Sequence, residues 1–141
     1  MIALDTDHIS ILRSPGGLRR DRLVSGMAAS LDQKFAASIA VLEEQARGWL
    51  AVISKERLVA RQVVAYRELA DLFLSVDEFT VLPFDDAAAT HFDRLRPPLR
   101  RLGTMDLKID CTAPSVDVLL LTANRRDFER VPGLRFENWL D

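Results

Sequence analysis

The sequence predicts one α/β domain built on a mostly parallel sheet, and three observations carry that prediction. Short apolar runs recur along the chain, at Ile2 to Leu4, Lys34 to Val41, Phe79 to Phe84, Val116 to Thr122 and Leu134 to Trp139. Segments with helical spacing of apolar residues separate them. Strands joined through helices need crossovers, which makes them parallel and leaves both faces of the sheet to be covered. No repeat, low-complexity tract or linker interrupts the 141 residues. Residues 1–141 therefore read as a single domain, of a size that buries roughly two thirds of its unfolded surface.

The first run, Ile2 to Leu4, is a buried strand that ends in Asp5-Thr6-Asp7. A helix from about Asp7 carries Ile9 and Leu12 and stops before Ser14-Pro15-Gly16-Gly17. Leu18 to Gln33 has a helical spacing of Leu, Val and Met, with Arg19, Arg20 and Arg22 on it. The second strand, Lys34 to Val41, runs into a helix with Leu42, Ala46, Trp49, Leu50 and Ile53 on one face. In the next helix Val59, Val63, Tyr66, Ala70 and Phe73 alternate at spacings of four and three. That stripe predicts core or helix-hairpin packing, with a coiled-coil interface as the lesser reading.

Phe79 to Phe84 is the third strand, after which Asp85 or Asp86 caps a helix running through Phe92 and Leu95 to Pro97-Pro98. A short helix opened by Thr104 and ended by Pro114 leads to the most apolar strand, Val116 to Thr122, and Leu134 to Trp139 is the last. Trp49 and Trp139 are assigned to packing.

Composition narrows the function classes. Hydrophobic residues at 48% and charged residues at 28% are ordinary for a soluble globular chain. A net charge of −2 disfavours a partner held by global charge alone, such as duplex DNA bound nonspecifically, and leaves room for local basic patches. The single cysteine, Cys111, excludes an intrachain disulfide and fits a reducing compartment. No secretion signal or membrane-span-length apolar stretch is visible, so a cytoplasmic protein without a membrane partner is expected.

Open parallel sheets bind ligands at the carboxyl ends of their strands, near the point where strand order reverses. Asp5 and Asp7 follow such an end. Glu44 lies opposite the apolar stripe of its helix, among Ala40, Val41, Gly48 and Ala51. Those small neighbours predict an enclosed helix, in which a carboxylate needs a partner, against the plainer reading of a solvated face. Glu43 is solvated or paired with Arg47. Asp106 stands in the first turn after Thr104, where the helix dipole favours an anion, and Asp110 follows one turn on, on the same face. Two such carboxylates repel unless a cation joins them, and Lys108 points elsewhere. Asp5, Glu44 and Asp106 offer hard oxygen donors, which suits Mg²⁺ or Mn²⁺ rather than zinc. His8 and His91 are too few and too scattered for a zinc site.

Four stretches, the strand with LDTDHIS, then SIAVLEEQARGW (Ser38 to Trp49), GTMDLKI (Gly103 to Ile109) and LLLTANRRDFERVPGL (Leu119 to Leu134), resemble in order the signatures of the PIN-domain ribonucleases. The resemblance is strongest to the VapC-type toxins of bacterial toxin-antitoxin pairs. It implies a PIN-like three-layer α/β/α fold with a central, mostly parallel sheet of four to five strands. It also implies an Mg²⁺-dependent endoribonuclease, with Mn²⁺ as a possible substitute, in which metal-activated water attacks an RNA phosphodiester. Matched position by position, the catalytic and metal-binding acids fall on Asp5, Glu44 and Asp106. The fourth acidic place of many members is here Asn124, near which Asp127 could help through water or structure. Where the family continues with small apolar residues, this chain has Asp110 to Asp117, and Asp110 could add charge to the site.

The partners implied are a VapB-type antitoxin lying over the active site, a second copy of the toxin, and a structured RNA such as tRNA or rRNA. Arg125, Arg126 and the stretch Arg94 to Arg101 offer phosphate contacts or form a solvated loop. Thr6 and Ser10 could hydrogen-bond the site, although turn or cap chemistry explains Thr6 as well. Asp7 is either an acid supporting the ligands or the N-cap of the first helix.

Two alternatives stand beside this one. A haloacid-dehalogenase-type phosphatase would use Asp5 as nucleophile and Asp7 as acid/base, with Asp85-Asp86 imitating its late acidic pair. Ile9, however, stands where that pattern wants Thr or Val. A catalytically inactive PIN-like module that binds RNA or protein is favoured by Asn124 and by the segment after Asp110.

Overall fold

The computed structural model describes residues 1–113 and 117–141. Its elements are β1 (Ile2–Leu4), α1 (Thr6–Leu12), α2 (Leu18–Ala29), β2 (Phe35–Ser38), α3 (Ile39–Lys55), α4 (Val63–Leu74), β3 (Thr80–Leu82), α5 (Asp86–Leu95), α6 (Thr104–Thr112), β4 (Leu119–Leu121), α7 (Arg125–Phe128) and β5 (Arg135–Glu137). Single 3₁₀ turns at Val59–Gln62 and Ser75–Glu78 flank α4.

Five strands form one sheet in the order β3-β2-β1-β4-β5, with every neighbouring pair parallel. This bears out the expected α/β/α architecture, at the upper end of the predicted strand number. The central strand β1 is buried at all three residues, as are Ala36 and Ala37 of β2 and Leu120 and Leu121 of β4. A strand covered on both faces has no polar side, hence the unbroken apolar runs. α1 packs on α2 and α3, α3 on α4 and α6, and α5 on α6. Leu4, Ile9, Val41, Ile109, Phe128 and Leu140 belong to the main core around the sheet, and a second cluster with Leu95, Leu102, Leu107 and Val131 lies under α5 and α6.

Several boundaries differ from the sequence-based expectation, each for a local reason. β2 stops at Ser38, whose hydroxyl accepts the Ala40 amide at 3.1 Å and so caps α3, which puts Ile39 to Val41 in the helix. α2 ends at Ala29 rather than Gln33. α1 is capped by Asp5, which accepts the Thr6 amide, so Asp7 lies inside the first turn and is not the N-cap. Asp85, the first of the two candidates, caps α5 by accepting the Ala88 amide at 2.9 Å. The helix end expected at Pro114 and the start of the strand at Val116 fall outside the described residues.

The largest difference concerns α4. Val59, Val63, Tyr66, Ala70 and Phe73, expected to pack inside, are exposed. α4 turns Ala65 and Leu72 inward instead, and the 3₁₀ turn at Val59–Gln62 breaks the continuous helix on which that stripe depends.

Candidate active site

β1 and β4 end level with one another, Leu4 opposite Leu121, and the Asp5 amide donates to the Leu121 carbonyl at 2.9 Å. Both oxygens of the buried Asp5 carboxylate are engaged. Oδ1 accepts the Thr6 amide at 2.7 Å and Oδ2 accepts the Thr122 hydroxyl at 2.8 Å. Burial, and then the negative charges of Asp7 and Asp106, raise the Asp5 carboxyl to about 7 against the opposing pull of those two hydrogen bonds. Thr122 is itself fully buried, and its oxygen accepts the Asn124 amide at 3.1 Å. Sequence reasoning used Thr122 only to mark a strand end and missed its contact with Asp5. The signal available was its place directly after the strand that neighbours β1.

Asp7 behaves differently two residues on. Its Oδ1 accepts the His8 amide at 2.6 Å and lies 2.7 Å from His8 Nδ1, while Oδ2 accepts the Ala123 amide at 2.8 Å. Burial pushes this carboxyl up, yet the bonds from His8 and Ala123 outweigh it and hold Asp7 below the usual carboxylate range. The buried His8 ring accepts the Trp139 amide at Nε2, 3.3 Å away, so the network assigns its proton to Nδ1, facing Asp7. Asp7 thus fastens the first turn of α1 to the loop after β4. Trp139 contributes its backbone amide here as well as packing over Gly26.

α3 brings Glu44 to the same rim. Its Oε2 accepts the Thr6 hydroxyl at 2.5 Å, so Thr6 serves both the cap and the acid. Gln45 donates to the Thr6 carbonyl at 3.3 Å and to the Ser10 hydroxyl at 2.9 Å, which ties α1 to α3 beside Glu44. The enclosure expected around Glu44 is only partial, because Gly48 and Ala51 are exposed and the side chain is half-buried. Glu43 pairs with Arg47 at 3.1 Å.

α6 and α7 supply the rest. Asp106 folds back over its helix start, where a Cβ on Gly103 would lie 3.3 Å from its Oδ2. Burial, then Glu44, Asp127 and Asp7, raise its carboxyl above the ordinary range. Asp110 is wholly buried, and burial followed by Asp5, Asp106 and Asp127 raises it to about 9. Asn124 donates from Nδ2 to Asp127 Oδ2 at 3.0 Å.

The structure therefore brings Asp5, Asp7, Glu44, Asp106, Asp110 and Asp127 within each other's electrostatic reach. Among the described residues no lysine or arginine pairs with Asp5, Glu44, Asp106 or Asp110. The raised carboxyls of Asp5, Asp106 and Asp110, with the hard oxygens of Glu44 beside them and no basic partner among the described residues, match a hydrated divalent cation. Among the described residues no three His, Cys, Asp or Glu side chains close around an ion unaided.

Other candidates lie apart. Arg125 and Arg126 are exposed on α7, with Arg125 3.9 Å from Glu129. Arg96 is committed to structure, donating to the Leu102 carbonyl at 2.7 Å and lying over the Phe92 ring. A cavity of about 520 Å³ opens not at the acids but on an apolar groove lined by Ile39, Leu42, Leu72, Phe73, Phe84 and Lys108. The phosphatase alternative is not favoured, because Asp85 and Asp86 open α5 beyond β3, two strands from Asp5.

No family model matches the chain. The chain is 42% identical over 77 residues to the tRNA(fMet)-specific endonuclease VapC of Shigella flexneri, a match covering 52% of this chain and 58% of that protein. The chain thus spans little more than half the length of this curated relative. Over its full length the structure superposes on that of VapBC-1 from nontypeable Haemophilus influenzae, with a TM-score of 0.78 at 21% identity and 100% of each chain covered. It also superposes on DNA-bound VapBC from Salmonella typhimurium, with a TM-score of 0.71 at 28% identity and 99% of each chain covered. The resemblance to VapC-type proteins is borne out in sequence and in fold. Relatives named as nucleases do not favour an inactive module.

Proposed function

We propose that this protein is a metal-dependent endoribonuclease of the VapC type, in which Asp5, Glu44 and Asp106 hold Mg²⁺, or Mn²⁺ in its place, at the carboxyl end of the central strands. The observation that carries this reading is the convergence of carboxylates from β1, α3 and α6 on one rim without a basic partner among the described residues. A divalent cation bound there supplies charge to neutralise the scissile phosphate and lowers the pKa of a water poised for in-line attack.

The chain's own groups prepare that step. The Thr122 hydroxyl and the Thr6 amide orient Asp5 and favour its charged form against burial. The dipole at the start of α6 does the same for Asp106. The Thr6 hydroxyl fixes one oxygen of Glu44 and leaves the other to complete the acidic set or to orient water. No side chain need act as nucleophile.

As a VapC-type toxin the protein takes a VapB-type antitoxin as partner, and its likeness to the toxin-antitoxin structures of VapBC supports this. The apolar groove beside α3 gives such a partner a surface. The substrate is a structured RNA, tRNA or rRNA, with Arg125 and Arg126 exposed for phosphate contacts, and unpaired segments offering the specificity. A homodimer and a cytoplasmic location complete the reading; among the described residues no helix is long and apolar enough to cross a membrane.

The test is RNA cleavage by the purified chain in Mg²⁺ or Mn²⁺, with tRNA among the substrates. Cleavage should vanish with a chelator and fall at least ~100-fold in Asp5→Asn, beyond the typical effect of groups that merely support a metal ligand. Undiminished cleavage by Asp5→Asn, or none by the wild type with any RNA, sinks the proposal.

A further inference from the structure

We propose that Asp110 is a further carboxylate for the divalent cation, supplied by α6 one turn beyond Asp106. This inference rests on the metal-dependent reading above and extends the donor set by a residue that reading does not require.

Asp110 has no solvent exposure, and neither of its carboxylate oxygens has a hydrogen-bond partner among the described residues. Buried polar groups in folded proteins are almost always hydrogen-bonded, and buried charges are paired or coordinate metals. The local chain offers Asp110 no relief. It lies in the last turn of α6, where the helix dipole disfavours an anion, and Lys108 lines the apolar groove instead of pairing with it. The four-residue spacing puts Asp110 on the same helix face as Asp106, and the charges of Asp5, Asp106 and Asp127 all act on it.

An alanine or leucine would fill a buried position on a helix without this penalty. Without a cation the carboxyl there keeps its proton, and it ionises at neutral pH when a cation joins it to the acids it faces. Asn124 sharpens the point, because it carries no charge and spends its amide on Asp127. Asp110 is the wholly buried acid of the cluster, with both oxygens unengaged among the described residues.

The experiment is direct titration of the full chain with Mn²⁺, followed by calorimetry and by the electron paramagnetic resonance of free ion, without RNA. Asp110→Asn preserves shape and removes the charge, and should weaken Mn²⁺ binding about 10-fold or more. Its metal-free melting temperature should rise, because a buried carboxyl without a hydrogen-bond partner is gone, and the increase in melting temperature on adding Mn²⁺ should shrink. Asp110→Ala serves as a second variant with the same expected direction. Unchanged Mn²⁺ affinity in both variants overturns the inference, and so does a wild type that binds no Mn²⁺. Mn²⁺ binding that depends on Asp110, in a protein that cuts no RNA, would sustain this inference while sinking the nuclease reading.

Discussion

At the carboxyl end of the sheet Asp5 and Asp110 are 5% and 0% exposed, whereas Val59 in the 3₁₀ turn before α4 and Leu74 at the end of α4 are 77% and 76% exposed. One region buries carboxyl groups and the other exposes apolar surface, each the reverse of what solvation favours. The two differ in how firmly they are built. Asp5 is held by bonds from Thr6 and Thr122, the latter spanning 117 residues of sequence, and sits on strands with core on both faces. The α4 face is a helix surface beside a 3₁₀ turn, with no comparable scaffold over it. The rim gathers buried carboxyl groups on a rigid scaffold, and the α4 face presents apolar side chains to solvent.

The comparison can be broken most severely at Thr122. Thr122→Val keeps the shape and removes the hydroxyl from Asp5, and should lower Mn²⁺ affinity and RNA cleavage ~10–100-fold in a protein that still folds. Equal affinity and cleavage in the variant would show that Asp5 needs no orientation.

A change in pH should give an intermediate effect. Folding raises Asp5 and Asp110 from 3.8 to about 7 and about 9, so the native chain keeps protons that the unfolded chain has lost. Their contribution to stability is therefore fully present below about pH 4 and is lost as pH rises through about 7 and then about 9. The melting temperature of chelated protein should fall by several degrees between about pH 5 and pH 9, and Mg²⁺ should restore it most at the alkaline end. A melting temperature that climbs over that range contradicts the assignment.

The smallest effect belongs to α4. Val64→Glu, at a position 61% exposed, should change the stability of dilute monomer by no more than ~0.5 kcal/mol while weakening any self-association seen by sedimentation. A large loss of monomer stability would mean that this face is covered within the chain.

Much of the fold was legible because a parallel sheet writes itself as apolar runs separated by helical periodicity. Asp5, Glu44 and Asp106 were singled out from strand ends and helix positions, and the fold brings them to one rim. Sequence failed where two local signals competed. Ser38 ends β2 by capping α3, although Ile39 to Val41 are as apolar as the strand before them. The α4 stripe has the spacing of a core face, yet periodicity reports only that residues share a side, not which side faces inward. The small neighbours of Glu44 predict an enclosed helix, yet Gly48 and Ala51 are exposed in the fold. Thr122 and the His8 to Trp139 contact depend on pairings across more than a hundred residues, which no local pattern encodes.

The strand order has a consequence for the timing of synthesis. β1 emerges first and β4 last among the central strands, yet Asp5 receives its amide acceptor and its hydroxyl partner only from Leu121 and Thr122. At translation speeds of about 5–20 residues per second, the 117 residues between Asp5 and Thr122 take roughly 6 to 23 s to appear. During that interval a nascent chain carries the first aspartate without the strand that holds it in place. A ribosome therefore finishes most of this protein before the rim can assemble beside it.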